Sequence, residues 1–444
     1  VGRVGVRVEE MPESLREAEA KARARIVAAR RELETVSPRT QRKAWRQKRV
    51  VLDSAIDELR AVVGRMEREA KRAARLYYPR AADLRAIQAT LDDDQAFVAY
   101  GLCGNEALAV VATAEDATVR RLGSRADVEV AVASLDLTDK STDGKEHLDA
   151  IEALLVTPLK LGDDLEGVVV SPDGYLSTVP FPLLFDGRRV SLAPSGTTYT
   201  HLHEEPFEPG EAVLALGDPD YGPTNRGSAA SVYTRDADGE ALYRAGQLTR
   251  LPATRPEVEA VGDVVLLGED ANERLFAQRL ASKPRWRALH FACHGLLNMQ
   301  RADLSSLALS RPEDTAGDDG VLTVDGFLTT MEIMRLDVPV DLAVLSACET
   351  GRGRVLPGNG LLGLTRAFLY AGASRVVCSL WKVDDAATSA LMTKFYELWN
   401  PEGDAAPRKS AVEALREAQE YVRGQEKWSH PFYWAGWVLW GRPD

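Results

Sequence analysis

Two short runs of apolar residues in the second half of the chain each lead to a residue with reactive chemistry. The first run, residues 288–293, is followed at once by His294 and Gly295. The second run, residues 342–345, is followed by Cys348. Both runs lack the three-and-four spacing of an amphipathic helix and are short, which is typical of strands buried on both faces. The pattern therefore predicts two parallel strands in the interior of a sheet.

Apolar runs of this kind alternate with segments of helical periodicity from about residue 251 to the C terminus. Strands that alternate with helices predict an α/β fold, in which a mostly parallel sheet is covered by helices. The predicted helices are 255–261, 272–280, 328–334, 360–371, 386–398 and 409–423. Between 218 and 246 the sequence is rich in Gly, Ser and Asp, and so long a loop is usually functional or disordered. This loop is a candidate for regulation or cleavage.

The N-terminal region has a different pattern, with apolar residues at helical spacing between residues 13 and 77. Ser37 and Pro38 interrupt it, because proline cannot continue a helix, and the sequence predicts an antiparallel helical hairpin. Residues 1–80 carry 21 Lys and Arg against 12 Asp and Glu, a charge of +9, whereas the remainder carries −21. A basic arm can bind nucleic acid or lie against an acidic domain. Because basic residues alternate with glutamates, we favour the second and expect no direct nucleic-acid binding.

Composition narrows the class of protein. With 444 residues, 45% of them hydrophobic and 27% charged, the chain has the make-up of a soluble globular protein of two or three domains. The sequence has no run of 18 apolar residues, so we expect no membrane span. Four cysteines without a Cys-x-x-Cys pair, and six histidines without zinc-ligand spacing, predict neither a disulfide scaffold nor a metal site. A reducing cytoplasm fits this pattern best.

The two apolar runs place His294 and Cys348 at one edge of the predicted sheet, because the carboxyl ends of neighbouring parallel strands meet there. A thiol of ordinary pKa is mostly protonated at pH 7, so a nucleophilic cysteine needs a nearby base. His294 can serve as that base. The backbone N–H groups of Gly295 and Cys348 are then positioned to receive an oxyanion. These residues form a minimal set for acyl transfer that requires no cofactor.

Other histidines and cysteines compete for these roles. Cys293 alternates with His294 along the strand and should face the opposite side, so we interpret it, like Cys378, as a packing residue. His290 lies on the same face as His294 but deeper, where burial is expected. His430 precedes a proline in a Trp-rich segment and is interpreted as a structural or capping residue.

Several short motifs follow one another in the second half of the chain. They are His-Phe-Ala-Cys-His-Gly at 290–295, Asp-Gly-Phe-Leu-Thr at 325–329, Leu-Ser-Ala-Cys-Glu-Thr-Gly at 345–351, Ser-Leu-Trp-Lys-Val-Asp-Asp at 379–385 and His-Pro-Phe-Tyr-Trp-Ala-Gly-Trp at 430–437. The separation of 54 residues between His294 and Cys348 is similar to the spacing of about 50 residues between the caspase histidine and cysteine. In this order the motifs resemble those of the CHAT family, a group of caspase-like cysteine peptidases related to separase.

The resemblance implies a caspase-like fold with three parts. Residues 1–80 would be the helical hairpin, residues 81–247 a pseudo-caspase half without catalytic residues, and residues 248–444 the active half. Backbone carbonyls, rather than a third side chain, would hold the imidazole. Asp384 and Asp385 occupy the place where separase-like peptidases put an acidic residue that reads a basic side chain, although an aspartate there is also suited to cap the next helix.

The sequence thus predicts a cysteine endopeptidase that cleaves a protein substrate through His294 and Cys348. The resemblance also implies control by a regulatory protein or a ribonucleoprotein bound at the N-terminal helices, and a role in bacterial immunity or cell-death signalling. The alternative is a catalytically silent scaffold in which the caspase-like fold serves only for interaction.

Overall fold

A large sheet of eleven strands forms the centre of the fold, as the alternating pattern predicts. The computed structural model describes residues 42–69, 81–185, 187–204, 208–221, 233–235, 241–243, 248–297, 305–311, 325–346, 359–401 and 407–444, with single residues between 18 and 36. The strands of these residues are β1 (Gln95–Cys103), β2 (Glu106–Ala112), β3 (Ala117–Ser124), β4 (Gly167–Ser171), β5 (Arg189–Leu192), β6 (Glu211–Pro219), β7 (Tyr233–Arg235), β8 (Ala241–Tyr243), β9 (Val264–Gly268), β10 (Trp286–Ala292), β11 (His294–Leu296), β12 (Ser306–Ala308), β13 (Phe327–Thr329), β14 (Val340–Leu345), β15 (Ala373–Ser379) and β16 (Trp437–Gly441).

Across the main sheet the strands lie in the order β3, β2, β1, β4, β5, β16, β15, β14, β10, β6 and β9. The four neighbours β14, β10, β6 and β9 are parallel to one another. The three neighbours β1, β4 and β5 are also parallel to one another. Only β1 to β3 at one edge, and β16 against β15 in the middle, pair in the antiparallel sense among the described strands of this sheet. The chain therefore has the mostly parallel α/β architecture that was predicted.

Helices pack on both faces of this sheet and bury two separate sets of side chains. Along β10, Leu289 and Phe291 face a core that includes Phe368, whereas Ala288 and Ala292 face a core that includes Phe395. Burial on both faces explains why this strand has no polar alternation. The helices are α1 (Arg42–Glu69), α2 (Leu84–Gln88), α3 (Arg125–Ser134), α4 (Lys145–Leu155), α5 (Gly196–Glu204), α6 (Thr254–Val261), α7 (Glu273–Leu280), α8 (Thr330–Arg335), α9 (Asn359–Ala371), α10 (Asp385–Trp399) and α11 (Ala411–Arg423).

The helical residues before Ala81 form a unit of their own. Described residues between 18 and 32 are helical and contact α1 through Arg25 with Glu58 and through Lys48 with Glu32. Arg25 pairs with Glu58, and Glu32, further along the first segment, pairs with Lys48, nearer the start of α1, so the two segments run antiparallel.

One strand crosses between the two predicted halves of the larger unit. β6 was assigned by its sequence position to the first half, but it lies between β10 and β9, which belong to the second. The division at residue 247 therefore separates segments that share one continuous sheet, and the three-part organisation stays a prediction. Beside the main sheet, β11, β12 and β13 form a small antiparallel sheet that continues directly from β10.

The last strand begins at Trp437 rather than at residue 432, where the apolar run starts. Residues 431–433 form a single helical turn, and the Nδ1 atom of His430 accepts a hydrogen bond from the Phe432 N–H at 3.1 Å. The capping role predicted for His430 is therefore present in the structure. Its Nε2 atom also donates to the carbonyl of Thr142 at 2.6 Å, which ties the two regions together.

Candidate functional site

The register of β10 and β14 brings the ends of the two predicted active-site segments side by side. Phe291 of β10 is paired with Leu345 of the parallel neighbour β14. His294 follows Phe291 by three residues, and Cys348 follows Leu345 by the same number. The described ends of β10 and β14 therefore lie at the same level of the sheet. Residues 347–358, including Cys348, lie outside the described residues, so the position of the thiol stays a prediction.

His294 begins β11 and is held from two sides. Its Nε2 atom lies 2.7 Å from the carbonyl oxygen of Thr249, and its backbone N–H points to the hydroxyl of Tyr221 at 3.4 Å. The Tyr221 hydroxyl in turn donates to the carbonyl of Ala308 at 3.1 Å, and its ring packs against the imidazole with centroids 5.4 Å apart. Only 8% of His294 is exposed. The imidazole is thus fixed in a largely buried setting.

The contact with Thr249 determines which imidazole nitrogen carries the proton. A carbonyl oxygen can only accept, so Nε2 of His294 must be the donor. In the neutral ring the other nitrogen, Nδ1, then has a free lone pair. This is the kind of backbone contact that the family resemblance implies, and it leaves Nδ1 able to take a proton from a neighbouring group.

Burial lowers the pKa of His294 below its ordinary value of 6.5, because the charged imidazolium loses hydration. The hydrogen bond to Thr249 raises the pKa, the positive charge of Lys382 lowers it and the carboxylate of Asp385 raises it, but burial outweighs the opposing contributions. At neutral pH the ring is therefore uncharged, which is the form that can act as a base.

We expect the titration midpoint of His294 to lie below pH 6.5, because the lowered pKa keeps the neutral ring populated as pH falls. The ring signals can be followed by NMR in protein labelled with ¹⁵N-histidine, and the His294→Gln variant identifies them by their loss. A midpoint at or above pH 6.5 would show that burial does not dominate at this position.

The predicted oxyanion donors are Gly295 and Cys348. Gly295 lies in β11, where it is paired with Leu307 of β12. Cys348 is outside the described residues. The oxyanion role of their N–H groups therefore stays a prediction.

The two aspartates predicted to bind a basic side chain have different surroundings. Asp384 is the N-cap of α10, where its Oδ1 atom accepts hydrogen bonds from the N–H groups of Ala386 and Ala387 at 3.1 and 3.0 Å. Asp385, one residue further on, stands in the first turn and is partly exposed. Partial burial raises its pKa, with Lys382 opposing and Asp384 adding to the effect. The charge of Asp385 in turn acts to raise the pKa of His294, although burial outweighs it.

The competing residues lie where the sequence places them. Cys293 is 1% exposed and packs in the core opposite Ala292, and burial raises the pKa of its thiol to about 12. Cys378 is also buried, and burial raises its pKa to about 12. Neither thiol is poised to ionise near neutral pH. His290 is completely buried, with Nε2 3.0 Å from Glu257 and Nδ1 3.3 Å from the hydroxyl of Tyr396.

Sequence reasoning missed the residues that surround His294. Asp218 is the penultimate residue of β6 and Tyr221 lies two residues beyond the end of the strand, where this parallel strand reaches the same edge as β10 and β14. The rule that identified His294 and Cys348 could have identified them, but the segment was interpreted as the start of a long loop. Thr249 acts through its backbone carbonyl and so leaves no signal in the sequence. Glu257, the buried partner of His290, was read only as part of a helix.

Within the described residues, no group of three or more His, Cys, Asp or Glu side chains is arranged to hold a metal ion. The described cysteines, Cys103, Cys293 and Cys378, are free thiols. Among the helices described, none is sufficiently long and apolar to cross a membrane.

Comparison with known proteins gives a family and several partial similarities. Over 114 residues, the chain is 37% identical to human and 38% identical to mouse tetratricopeptide repeat protein 28, a match that covers 26% of this chain but only 4% of either relative. A separase–securin complex from Saccharomyces cerevisiae covers 96% of the chain at a TM-score of 0.37 and 13% identity, with 28% of its own chain matched. The Arg-specific cysteine proteinase gingipain R covers 64% of both chains at a TM-score of 0.34 and 9% identity. The sequence profile of the CHAT domain matches residues 145–442, two thirds of the chain, and the protein therefore belongs to the CHAT domain family.

Proposed function

We propose that the chain is a cysteine endopeptidase in which Cys348 is the nucleophile and His294 the general base. Nδ1 of His294 takes the proton of the Cys348 thiol, and the thiolate attacks the carbonyl carbon of the scissile peptide bond. Collapse of the tetrahedral intermediate breaks the C–N bond, and the imidazolium returns its proton to the leaving amine. Water then attacks the thioester with His294 again as base, which releases the acid product and the free thiol.

The observation that supports this proposal is the register of the paired strands β10 and β14. Phe291 and Leu345 are register partners, and three residues beyond each stand His294 and Cys348. Hydrogen bonding to Thr249 orients the imidazole so that Nδ1 is the basic atom. Burial lowers the pKa of His294, which supplies the neutral form at pH 7. The Gly295 and Cys348 N–H groups complete the proposal as donors to the oxyanion.

For substrate preference, we propose that Asp385 favours arginine or lysine on the amino side of the cleaved bond. Asp384 is engaged with α10, which leaves Asp385 as the carboxylate available to a ligand. Its charge already acts on His294, so a basic substrate side chain bound there would lie near the reacting bond. Carboxylates pair well with guanidinium groups, which present several donors in a fixed plane.

The decisive experiment is covalent labelling with an arginine-directed acyloxymethyl ketone. Intact mass is measured for the unmodified protein and for Cys348→Ala, followed by peptide mapping. We expect one adduct, on Cys348, formed when the thiolate displaces the carboxylate leaving group of the probe. A peptide library digested in parallel should show cleavage after basic residues. No adduct and no cleavage, with or without binding partners, would favour a silent scaffold instead.

Replacing Asp385 by Asn should reduce kcat/KM for a substrate with arginine before the cleaved bond by about tenfold or more, with little change for a matched substrate that has methionine there. The loss of a charge pair explains the difference between the two substrates. Asp384→Ser is the companion variant, because serine also caps helices but carries no charge. A loss of arginine preference in Asp384→Ser, and not in Asp385→Asn, would assign the recognition to Asp384.

We further propose that a partner gates this activity by binding the helical hairpin. Helix α1 exposes Val50 and Val51 by 66% and 59%, next to a surface with a surplus of basic residues. Such a surface suits a protein or ribonucleoprotein partner. The role in bacterial immunity or cell-death signalling remains a prediction from the family resemblance. Probe labelling repeated with a candidate partner should rise if the hairpin is a regulatory site.

A further inference from the structure

Asp218 is a fully buried carboxylate that the proposed chemistry does not use directly. It lies at the end of β6 and is 1% exposed. Its backbone φ angle is +45°, a left-handed conformation that is uncommon for residues other than glycine. Backbone strain of this kind persists where surrounding contacts impose it, and it concentrates near functional sites.

Two arginines surround the carboxylate of Asp218. Arg250 donates from Nε to Oδ1 at 2.7 Å and from Nη2 to Oδ2 at 2.9 Å, a two-pronged pairing. Arg255 donates from Nε and Nη2 to Oδ2 at 3.2 and 3.0 Å. Burial acts to raise the pKa of Asp218. The hydrogen bonds and charges of both arginines lower it by more, so the pKa lies below its ordinary value. The carboxylate is therefore charged at neutral pH.

The backbone of Asp218 binds the same segment. Its N–H donates to the hydroxyl of Thr254 at 2.8 Å, and that hydroxyl donates to the carbonyl of Leu251 at 2.7 Å. Residues 250–255 are thus attached to the end of β6 by the side chain and the backbone of one residue. The attached segment begins directly after Thr249, whose carbonyl accepts the hydrogen bond from His294.

Thr249 itself is exposed, so packing of its side chain does not fix its carbonyl. The next residue, Arg250, is the one that Asp218 binds in two-pronged fashion. The side chains of Arg250 and Arg255 are 51% and 40% exposed, whereas the Asp218 side chain that they bind is 1% exposed. A buried carboxylate that binds the residue next to Thr249 through two hydrogen bonds points to a role in geometry.

We propose that Asp218 is a positioning residue, which holds the Thr249 carbonyl on His294 through Arg250 and Arg255 and so fixes the imidazole in its Nε2–H form. The effect of this positioning on turnover rests on the proposed function. If the carbonyl moves, the proton can occupy Nδ1 instead, and the ring then presents the wrong atom to Cys348. Tyr221, three residues after Asp218, contacts His294 from the other side. The end of β6 and the residues directly after it therefore carry both Asp218 and a ring that packs against His294.

The test uses the full chain labelled with ¹⁵N-histidine and long-range ¹H–¹⁵N correlation, which distinguishes the two neutral tautomers of His294. Asp218→Asn removes the charge that binds the arginines, and Arg250→Gln removes the two-pronged donor. Asp263→Asn is the matched control, because Asp263 also binds β6, accepting from the Val213 N–H at 2.7 Å, but at the opposite end of the strand.

We expect His294 to show one tautomer, Nε2–H, in the unmodified protein and in Asp263→Asn, and a mixture of tautomers in Asp218→Asn and Arg250→Gln. The titration midpoint of His294 should also fall in these two variants, because the hydrogen bond to Thr249 raises its pKa. In Asp218→Asn, kcat should fall by about tenfold or more with KM changed less than about twofold, as for a misplaced catalytic group.

An unchanged tautomer and titration of His294 in both Asp218→Asn and Arg250→Gln would overturn the proposal. If Asp218→Asn does not fold, Arg250→Gln decides the question, since that half-exposed side chain is not part of the core. The NMR result does not depend on turnover. Failure of the positioning proposal is therefore distinguishable from failure of the proposed peptidase activity, which is tested by probe labelling of Cys348.

Discussion

His294→Ala should reduce peptide cleavage by about 10³-fold or more, because the Cys348 thiol then has no base and stays mostly protonated at pH 7. Cys348→Ala should remove turnover to the uncatalysed level, since no other group in the proposal can form the thioester. The measurement is kcat/KM with an arginine-containing peptide, together with the rate of labelling by the acyloxymethyl ketone. The two variants should retain the unfolding midpoint of the parent chain within a small margin.

Two matched variants show whether these losses are specific. His147→Ala changes an exposed histidine on α4, and Cys293→Ala changes the buried thiol next to His294. Both should keep turnover near that of the parent chain, because neither side chain contacts the proposed reacting atoms. Substantial cleavage by His294→Ala would remove this residue from the mechanism, and equal loss in Cys293→Ala would reopen the choice of nucleophile.

Asp341→Ala should have the largest effect on stability, about 3–5 kcal/mol, because it leaves a buried guanidinium without its partner. Asp341 is completely buried and accepts hydrogen bonds from Arg285 Nε at 2.6 Å, Arg287 Nη1 at 2.9 Å and the Gly210 N–H at 2.8 Å. The Arg287 side chain is only 8% exposed and stacks on Trp399 at 4.2 Å. Burial lowers the pKa of Arg287, although Asp341 opposes this effect.

Urea unfolding at neutral pH measures this effect directly. Replacing both members of the pair, as Asp341→Leu with Arg287→Met, should recover much of the lost stability, since an apolar pair needs no compensating charge. Glu397→Ala provides the surface comparison, because it breaks the exposed pair between Lys394 and Glu397 and should change the midpoint little. A loss in Asp341→Ala no larger than that in Glu397→Ala would mean that the buried pair is not essential to the fold.

The sequence was most informative where burial leaves a clear pattern. β10 and β14 are buried along their whole length, so their apolar runs stand out, and β10 ends at Ala292, two residues before His294. Local order alone could not place β6 between β10 and β9, because strand neighbours depend on long-range pairing. The family motifs indicated the type of fold but gave no information on the order of the strands.

The surroundings of His294 were less predictable for a physical reason. Thr249 contributes a carbonyl oxygen that every residue type possesses, and Asp218 acts through arginines 32 and 37 positions away. The pairing of His290 with Glu257 likewise joins a strand to a helix in the core. Such contacts depend on the folded arrangement of elements. The position of Asp384 suits a helix cap, but the sequence alone gave equal weight to capping and to binding of a basic substrate side chain.

The position of β16 in the sheet has a consequence for how the protein is made. β16 pairs with β15 on one side and with β5 on the other, although nearly 250 residues separate β5 from it along the chain. On the ribosome, β14 and β15 are synthesised before residues 437–441 emerge, so the nascent chain has an open sheet edge until β16 has been made. A sheet built in this order is complete only after β16 has emerged, and its unfinished edge is a natural contact for a chaperone.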